Sequence, residues 1–289
     1  MPDTHVINNR RVMDTLFLVL SRTCLGLCLA VLAFLILSIM LQGMKALSLS
    51  FFFEEARDFG ASGGILYQIL GSVLMVSVAA VLVLPIAVGT AVYRAEYETN
   101  PKRKRVIDLI LFSLNGIPSI TFGLFGLIFF VNILGTGLSW FVGAMILAMM
   151  MVPTVTLASV QTIQSLPNLY RENAASLGLS KGAVMRRVVI PQSLHGIITG
   201  LFIALARAVG ETAPIMFIAT AFSGVTVPRG LLEPVSTLPT HILALAQQAT
   251  NEDALRNAWG ASLTLLLLVI IFAGIALVVR HSLRHLAHR

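Results

Sequence analysis

The sequence predicts an all-α integral membrane protein, and three observations carry that prediction. Of its 289 residues, 57% are hydrophobic and only 11% charged, against roughly 25% charged residues in soluble domains. Six apolar runs, at residues 16–42, 66–92, 108–131, 140–163, 197–222 and 258–279, each come close to or exceed the about 20 residues a helix needs to cross a bilayer. With the N-terminus placed inside, the outer segments hold only Lys45, Arg57, Arg229 and Arg256, and, with Arg22 near the inner end of the first run counted inside, Arg207 is the basic residue left within a span. This positive-inside bias puts both termini in the cytoplasm. The net charge of +7 does not indicate nucleic acid, since the basic residues are scattered between apolar runs and form no continuous stripe.

Each span has its own signals. The first run is longer than the apolar core of a signal peptide and lacks an A-x-A-like cleavage site, so it reads as an uncleaved span. Cys24 and Cys28 stand one helical turn apart inside it, without His or carboxylate neighbours to complete a metal site; they read as small buried apolar residues. Between spans one and two, Phe51, Phe52 and Phe53 read as an interfacial aromatic anchor. After span two, the basic stretch Tyr93 to Arg105 reads as a topology anchor, with a turn at Asn100-Pro101. In span three, Pro118 cannot donate to the carbonyl of Leu114, so the helix is expected to bend or unwind there, beside Asn115, Ser119 and Thr121. Pro153 poses the same problem in span four. Beyond span five, residues 241–248 read as a weakly amphipathic helix capping the outer mouth. The His-bearing tail after span six reads as a solvated or headgroup-facing end rather than a metal site.

Arg207 and Glu211 in span five are the most informative residues. Positions four apart share a helix face, and charges at membrane depth are expensive enough that they mark the route of an ion or substrate. The guanidinium, charged at any physiological pH and presenting paired donors, suits an oxyanion. Glu211 has two open roles: holding Arg207 when the path is empty, or accepting a hydrogen bond from a protonated substrate oxygen. Pro214 frees the carbonyl of Gly210 at the same level, so Thr212 and exposed backbone are further candidates for polar contacts. The alternative is a structural Arg–Glu pair pinning two helices. Nothing resembles a phosphate-binding G-x-x-x-x-G-K-[ST] loop, and neither a metal constellation nor a nucleophile with a base is evident, so no enzyme is expected.

The loop 164–196 carries RENAASLGLSKGAVMRRVVIPQS and reads as a short helix, a turn and a second short helix. Ala174 and Ala175 would leave a groove or a close contact, while Lys181, Arg186 and Arg187 face water or a partner. Glu172, Ala174, Gly178, Val188, Ile190 and Pro191 stand at the spacing of the pattern E-A-A-x3-G-x9-I-x-L-P. Asn173 departs from it, and Val188 and Ile190 replace Ile and Leu. The loop thereby resembles that of the binding-protein-dependent ABC importer permeases. The blocks Ile117 to Phe125 and Ala206 to Ile215 look like the phosphate-specific transport permeases within that family, and Gly-Glu-Thr-Ala-Pro-Ile is similar to their A-type subunits.

The resemblance implies a type I importer permease fold in the bacterial inner membrane. Residues 1–65 would hold an N-terminal cytoplasmic segment, the first span and an outer loop, residues 66–280 the permease domain, and 281–289 a cytoplasmic tail. It further implies a phosphate pathway containing Arg207, Glu211, Thr212, Pro118 and Ser119. Glu172, Ala174, Ala175 and Gly178 would form the coupling helix docked on an ATPase. The implied partners are inorganic phosphate, a homologous C-type permease, two ATP-binding cassette subunits, a periplasmic phosphate-binding protein and membrane lipid. ATP and Mg would be handled by the partner ATPase, with no cofactor on this chain. Rival expectations are a permease for another oxyanion, such as molybdate or sulfate, and an ion-coupled carrier that would leave the Glu172 loop without a partner.

Overall fold

The computed structural model describes residues 4–221, 227–248 and 250–286, with side chains described over 13–221, 227–248 and 250–281. The chain opens with α1 (Thr4–Gly43), then a short α2 (Leu49–Phe53) capped by the Ser48 hydroxyl, which accepts from the Phe51 amide at 3.1 Å. A two-stranded hairpin of β1 (Ala56–Arg57) and β2 (Ser62–Gly63) leads into α3 (Leu66–Val92), which ends in a π turn over residues 93–97. Next come α4 (Pro101–Gly116), α5 (Ser119–Gly126) with a π extension to Ile133, and α6 (Trp140–Ser165). Two short helices, α7 (Asn168–Ser176) and α8 (Lys181–Val184), precede α9 (Ile190–Val209); a π turn makes α8 and α9 one span from Lys181 to Val209. The broken helix α10 (Ala213–Ile218), the outer helix α11 (Leu238–Ala246) and the long α12 (Glu252–Leu286) complete the order.

Among the described residues, five helices are long and apolar enough to span a bilayer, and six if α4 and the α5 extension count as one bent span. The third span differs from its expected form. α4 begins at Pro101, capped by Asn100, and stops at Gly116; α5 then departs at 91°. The cause is the expected one: Pro118 has no N–H, and both Ile117 and Pro118 adopt extended ψ values of 130° and 137°. At Pro153 the helix does not unwind: α6 runs from Trp140 to Ser165 with the proline inside it. α6 is the central helix, packed on α3, α4 and α9.

The core lies where α3, α6 and α9 meet, around Met75, Ile146, Leu147, Val155 and Leu205. α6 and α9 run antiparallel along a seam of small residues. A Cβ on Gly196 would collide with Thr162, and one on Gly200 would sit 2.5 Å from the Ala158 Cβ; Ala204 and Ala208, both buried, continue the stripe at four-residue spacing. Small residues at this spacing let helix backbones approach closely where lipid gives no hydrophobic drive for association.

One end of the bundle carries α7 and the basic stretch 93–105; the other carries the hairpin and α11. Phe51 is core, packed with Ile65, Leu238 and Ala261, so only the 68% exposed Phe53 fits the anchor expectation. α11 is embedded in the bundle end, with Leu238, His241 and Leu245 buried. Cys24 and Cys28 are exposed on α1, contrary to the buried reading, because α1 touches the bundle mainly through its last turn, Gly43 against Trp259 and Leu263. α12 continues helical to Leu286 through much of the expected tail; the side chains of 282–289 lie outside the described residues.

The hairpin turn is backed by His241, whose ring abuts Gly60, while Asn257 donates to the carbonyls of Gly60 and Ala61 at 3.2 and 2.9 Å. Asp58, Phe59 and Gly60 all have positive φ, a strained arrangement that only its surroundings can hold. Burial lowers the His241 pKa to about 4. A depressed histidine pKa means neutral His241 supports the fold above pH 6.5, and that support is lost as pH falls toward about 4. The protection factors of the amides across residues 56–63, corrected for the intrinsic pH dependence of exchange, should therefore fall by pH 5, by up to about 2 kcal/mol of local stability. In His241→Phe the acid response should vanish.

Candidate functional site

The expected site forms where two broken helices meet α6. α9 ends at Val209; the Gly210 amide donates to the Arg207 carbonyl at 3.0 Å and the Glu211 amide to Ala208 at 3.2 Å. Pro214, at the start of α10, cannot donate to the Gly210 carbonyl, which instead takes the Thr212 hydroxyl at 3.4 Å. Thr212 is thus committed to closing the break. α5 begins with Pro118 and Ser119 beside the other break, and its packing on α10 brings Gly123 so close to Pro214 that a Cβ would lie 2.7 Å from the Pro214 Cα.

Arg207 Nε donates to Glu211 Oε1 at 3.4 Å, a long bond across one helical turn. The Arg207 side chain is 57% exposed, while that of Glu211 is 14% exposed. Glu211 is therefore the seated partner, and the outer face of the guanidinium is open. Both line a narrow cleft with Leu147, Met150, Met151 and Thr154 of α6. Depth follows from α6: at 1.5 Å per residue its 26 residues span about 39 Å, and Met151 lies about 17 Å along it. Arg207 therefore sits near the middle of the span, where an open guanidinium needs water, another chain or an anion.

Asn115, at the end of α4, approaches Thr154 with 3.5 Å between side-chain oxygens. The first break is thereby brought to the same level. Thr154 is the polar residue that the sequence reading passed over. Its signal was available, since it follows Pro153 inside an apolar run, but its relevance depends on the α6–α9 register. Ser119 makes no described hydrogen bond to the pair; it stands at the first turn of α5, whose opening amides have no helical acceptor.

At the basic end, the 164–196 loop has the expected helix–turn–helix form. Gly178 has φ +76°, and the bonds Gly178 to Ala175 and Leu179 to Ala174 close a Schellman turn that a side chain at 178 would strain. Glu172 and Ala175 are exposed; Ala174 points inward, packed with Ala91, Val160 and Val189. Ala174 thus seats the helix, and Glu172 and Ala175 form its outer face. The clasp is Arg171, which donates to Glu96 at 2.6 Å and to the carbonyls of Ile163 and Leu166 at 2.8 and 2.9 Å. The 93–105 stretch is therefore a structural connector as well as a run of charge. Arg94 grips Asp108 through two bonds of 2.8 and 2.7 Å, Lys181 lies over the Tyr97 ring, and the Asn100 amide and Tyr93 hydroxyl hold the Glu98 carboxylate below its usual range. In Arg171→Met, Glu96 loses its partner and α7 its anchor. Exchange of the α7 amides should rise at least about tenfold, the worth of one charge-assisted hydrogen bond.

The model of the "Binding-protein-dependent transport system inner membrane component" family matches residues 84–289. This chain belongs to that family. The permease is 33% identical to the phosphate transport system permease protein PstA of Pasteurella multocida (strain Pm70), over 95% of its own length and 98% of the relative's. It is 30% identical to the probable ABC transporter permease protein YqgI of Bacillus subtilis (strain 168), over 91% and 94%. In fold it is similar to a chain of a bacterial alginate ABC transporter in complex with an alginate-bound periplasmic protein, with TM-score 0.64 and 14% identity over 93% of this chain and 94% of that one. It is a multi-pass membrane protein with the fold of ABC importer permeases.

Proposed function

We propose that this chain is one permease half of an ATP-driven phosphate importer, with Arg207 as the anion contact of the pathway. The observation that carries the reading is the open guanidinium near mid-span, seated by Glu211 at the meeting of two broken helices. Its likeness to a phosphate permease over nearly its whole length supports phosphate as the substrate. The other half is a homologous C-type permease whose surface faces Arg207. Two ATPase subunits dock at the basic end on Glu172 and Ala175 and handle ATP and Mg; a periplasmic phosphate-binding protein delivers phosphate at the hairpin end. Both termini are then cytoplasmic, in keeping with the basic residues around α7.

Arg207 supplies charge-assisted donors to the phosphate oxygens, and the open-sided cleft keeps the anion from being held too tightly to leave. Glu211 orients Arg207 and accepts from the protonated oxygen of hydrogen phosphate, a bond that fully ionised sulfate cannot make. ATP-dependent uptake of labelled phosphate into proteoliposomes holding the assembled complex, with sulfate and molybdate as competitors, tests the substrate. Phosphate uptake resisting both competitors is expected, and preferential molybdate or sulfate uptake would refute the assignment. Glu211→Gln should narrow the preference for phosphate over sulfate by about tenfold, one hydrogen bond to a charged group. An unchanged preference would remove the acceptor role from Glu211.

A further inference from the structure

The cleft at Arg207 is not the end of the α6–α9 groove. One turn beyond Thr154, the same seam continues past Ala158 and Gly200 and widens into a cleft of about 330 Å³ at the basic end. Its polar lining is Gln161, Thr162 and Ser165 of α6, His195 and Thr199 of α9, and Arg280 of α12. No carboxylate lines it. The three hydroxyls donate to carbonyls of their own helices at 2.7–2.8 Å. Among the described hydrogen bonds, none engages the side chains of Gln161, His195 or Arg280. The free donors facing this space are therefore an amide, an imidazole and a guanidinium, carried by three different helices around an opening with no anionic competitor. That is the donor set of an oxyanion site.

We propose that this cleft is a second oxyanion site, taking a tetrahedral phosphate group through Arg280, His195 and Gln161. Two sources share that chemistry: inorganic phosphate stepping down the groove from Arg207, and the headgroup of an anionic lipid entering from the side. The first source rests on the phosphate reading above; the donor chemistry of the cleft does not.

The test uses the assembled complex in nanodiscs, carrying Arg207→Gln so that the upper site is silent, with inorganic phosphate as the probe and 31P saturation transfer as the readout. In zwitterionic phosphatidylcholine discs, binding is expected and should weaken by about tenfold in Arg280→Gln, the worth of one charge-assisted hydrogen bond, and also fall in His195→Gln. Arg103→Gln removes one positive charge from a 72% exposed side chain at the same end and should leave binding unchanged. If phosphatidylglycerol abolishes phosphate binding and co-purifies with the complex in native mass spectra, but not with Arg280→Gln, the lipid headgroup is the occupant. Unaltered phosphate binding and unaltered lipid retention in Arg280→Gln would overturn the site, as would an equal loss in Arg103→Gln. A variant that elutes as an intact complex on size exclusion excludes misfolding. Failure of wild-type phosphate uptake would instead sink the import reading and leave this binding result standing.

Discussion

Arg207→Gln should abolish phosphate uptake by an otherwise intact transporter, with ATP hydrolysis still stimulated by the binding protein. The guanidinium is the positive group of its cleft, it stands near the middle of α6, and its outward face has no partner among the described residues. Glutamine keeps much of the side chain's reach but loses the charge and the paired donors, so a divalent oxyanion would meet Glu211 with no compensating cation. One such charge-assisted contact removed from a low-dielectric path corresponds to about 3 kcal/mol or more, at least a hundredfold in rate. Arg207→Lys should recover part of the activity, since it restores the charge without the planar fork. A purely structural Arg–Glu pair predicts the reverse pattern: loss of assembly in Arg207→Gln, and normal uptake in whatever complex survives.

The second large effect lies in the seam rather than the site. Gly196→Leu and Gly200→Leu should prevent the membrane domain from packing, because Thr162 and Ala158 occupy the space a side chain would need. Overpacking a well-filled core costs about 1–3 kcal/mol and sometimes more, and here both helices would have to separate along their length. Separation would also pull Arg207 on α9 away from Met151 and Thr154 on α6, so transport falls with stability. Thermal stability of the detergent-solubilised protein is the measurement. Gly182→Ala is the control: nothing lies within 4 Å of its Cβ position, and it should be neutral or slightly stabilising. Equal behaviour of Gly200→Leu and Gly182→Ala would show that the seam is not a close contact.

Much of this architecture was legible because lipid leaves few choices: an apolar run of about 20 residues must be a helix, and a proline inside it must free a carbonyl. The break at Pro118 and the freed carbonyl of Gly210 followed from that chemistry, and the pairing of Arg207 with Glu211 from helix period alone; the end of the fifth span at Val209, inside the apolar run 197–222, did not. Pro153 carried the same local signal, yet α6 stays helical through it while the chain unwinds at Pro118, a difference the local sequence does not encode. Hydropathy marked 108–131 as one span but carries no direction, so the right angle between α4 and α5 was invisible to it. Thr154 entered the site only through the register of α6 on α9, and Ala174, expected on a docking surface, faces inward for a similar reason. Contacts between elements distant in sequence decide such matters, and no local pattern encodes them.

The most direct test of the central claim is the position of the anion. Cryo-electron microscopy of the full complex, trapped with ATP bound and phosphate present, should show tetrahedral density within hydrogen-bond distance of the Arg207 guanidinium, between the two permeases and level with Met151 and Thr154. Density elsewhere, with Arg207 locked in an ion pair to the second permease, would contradict it.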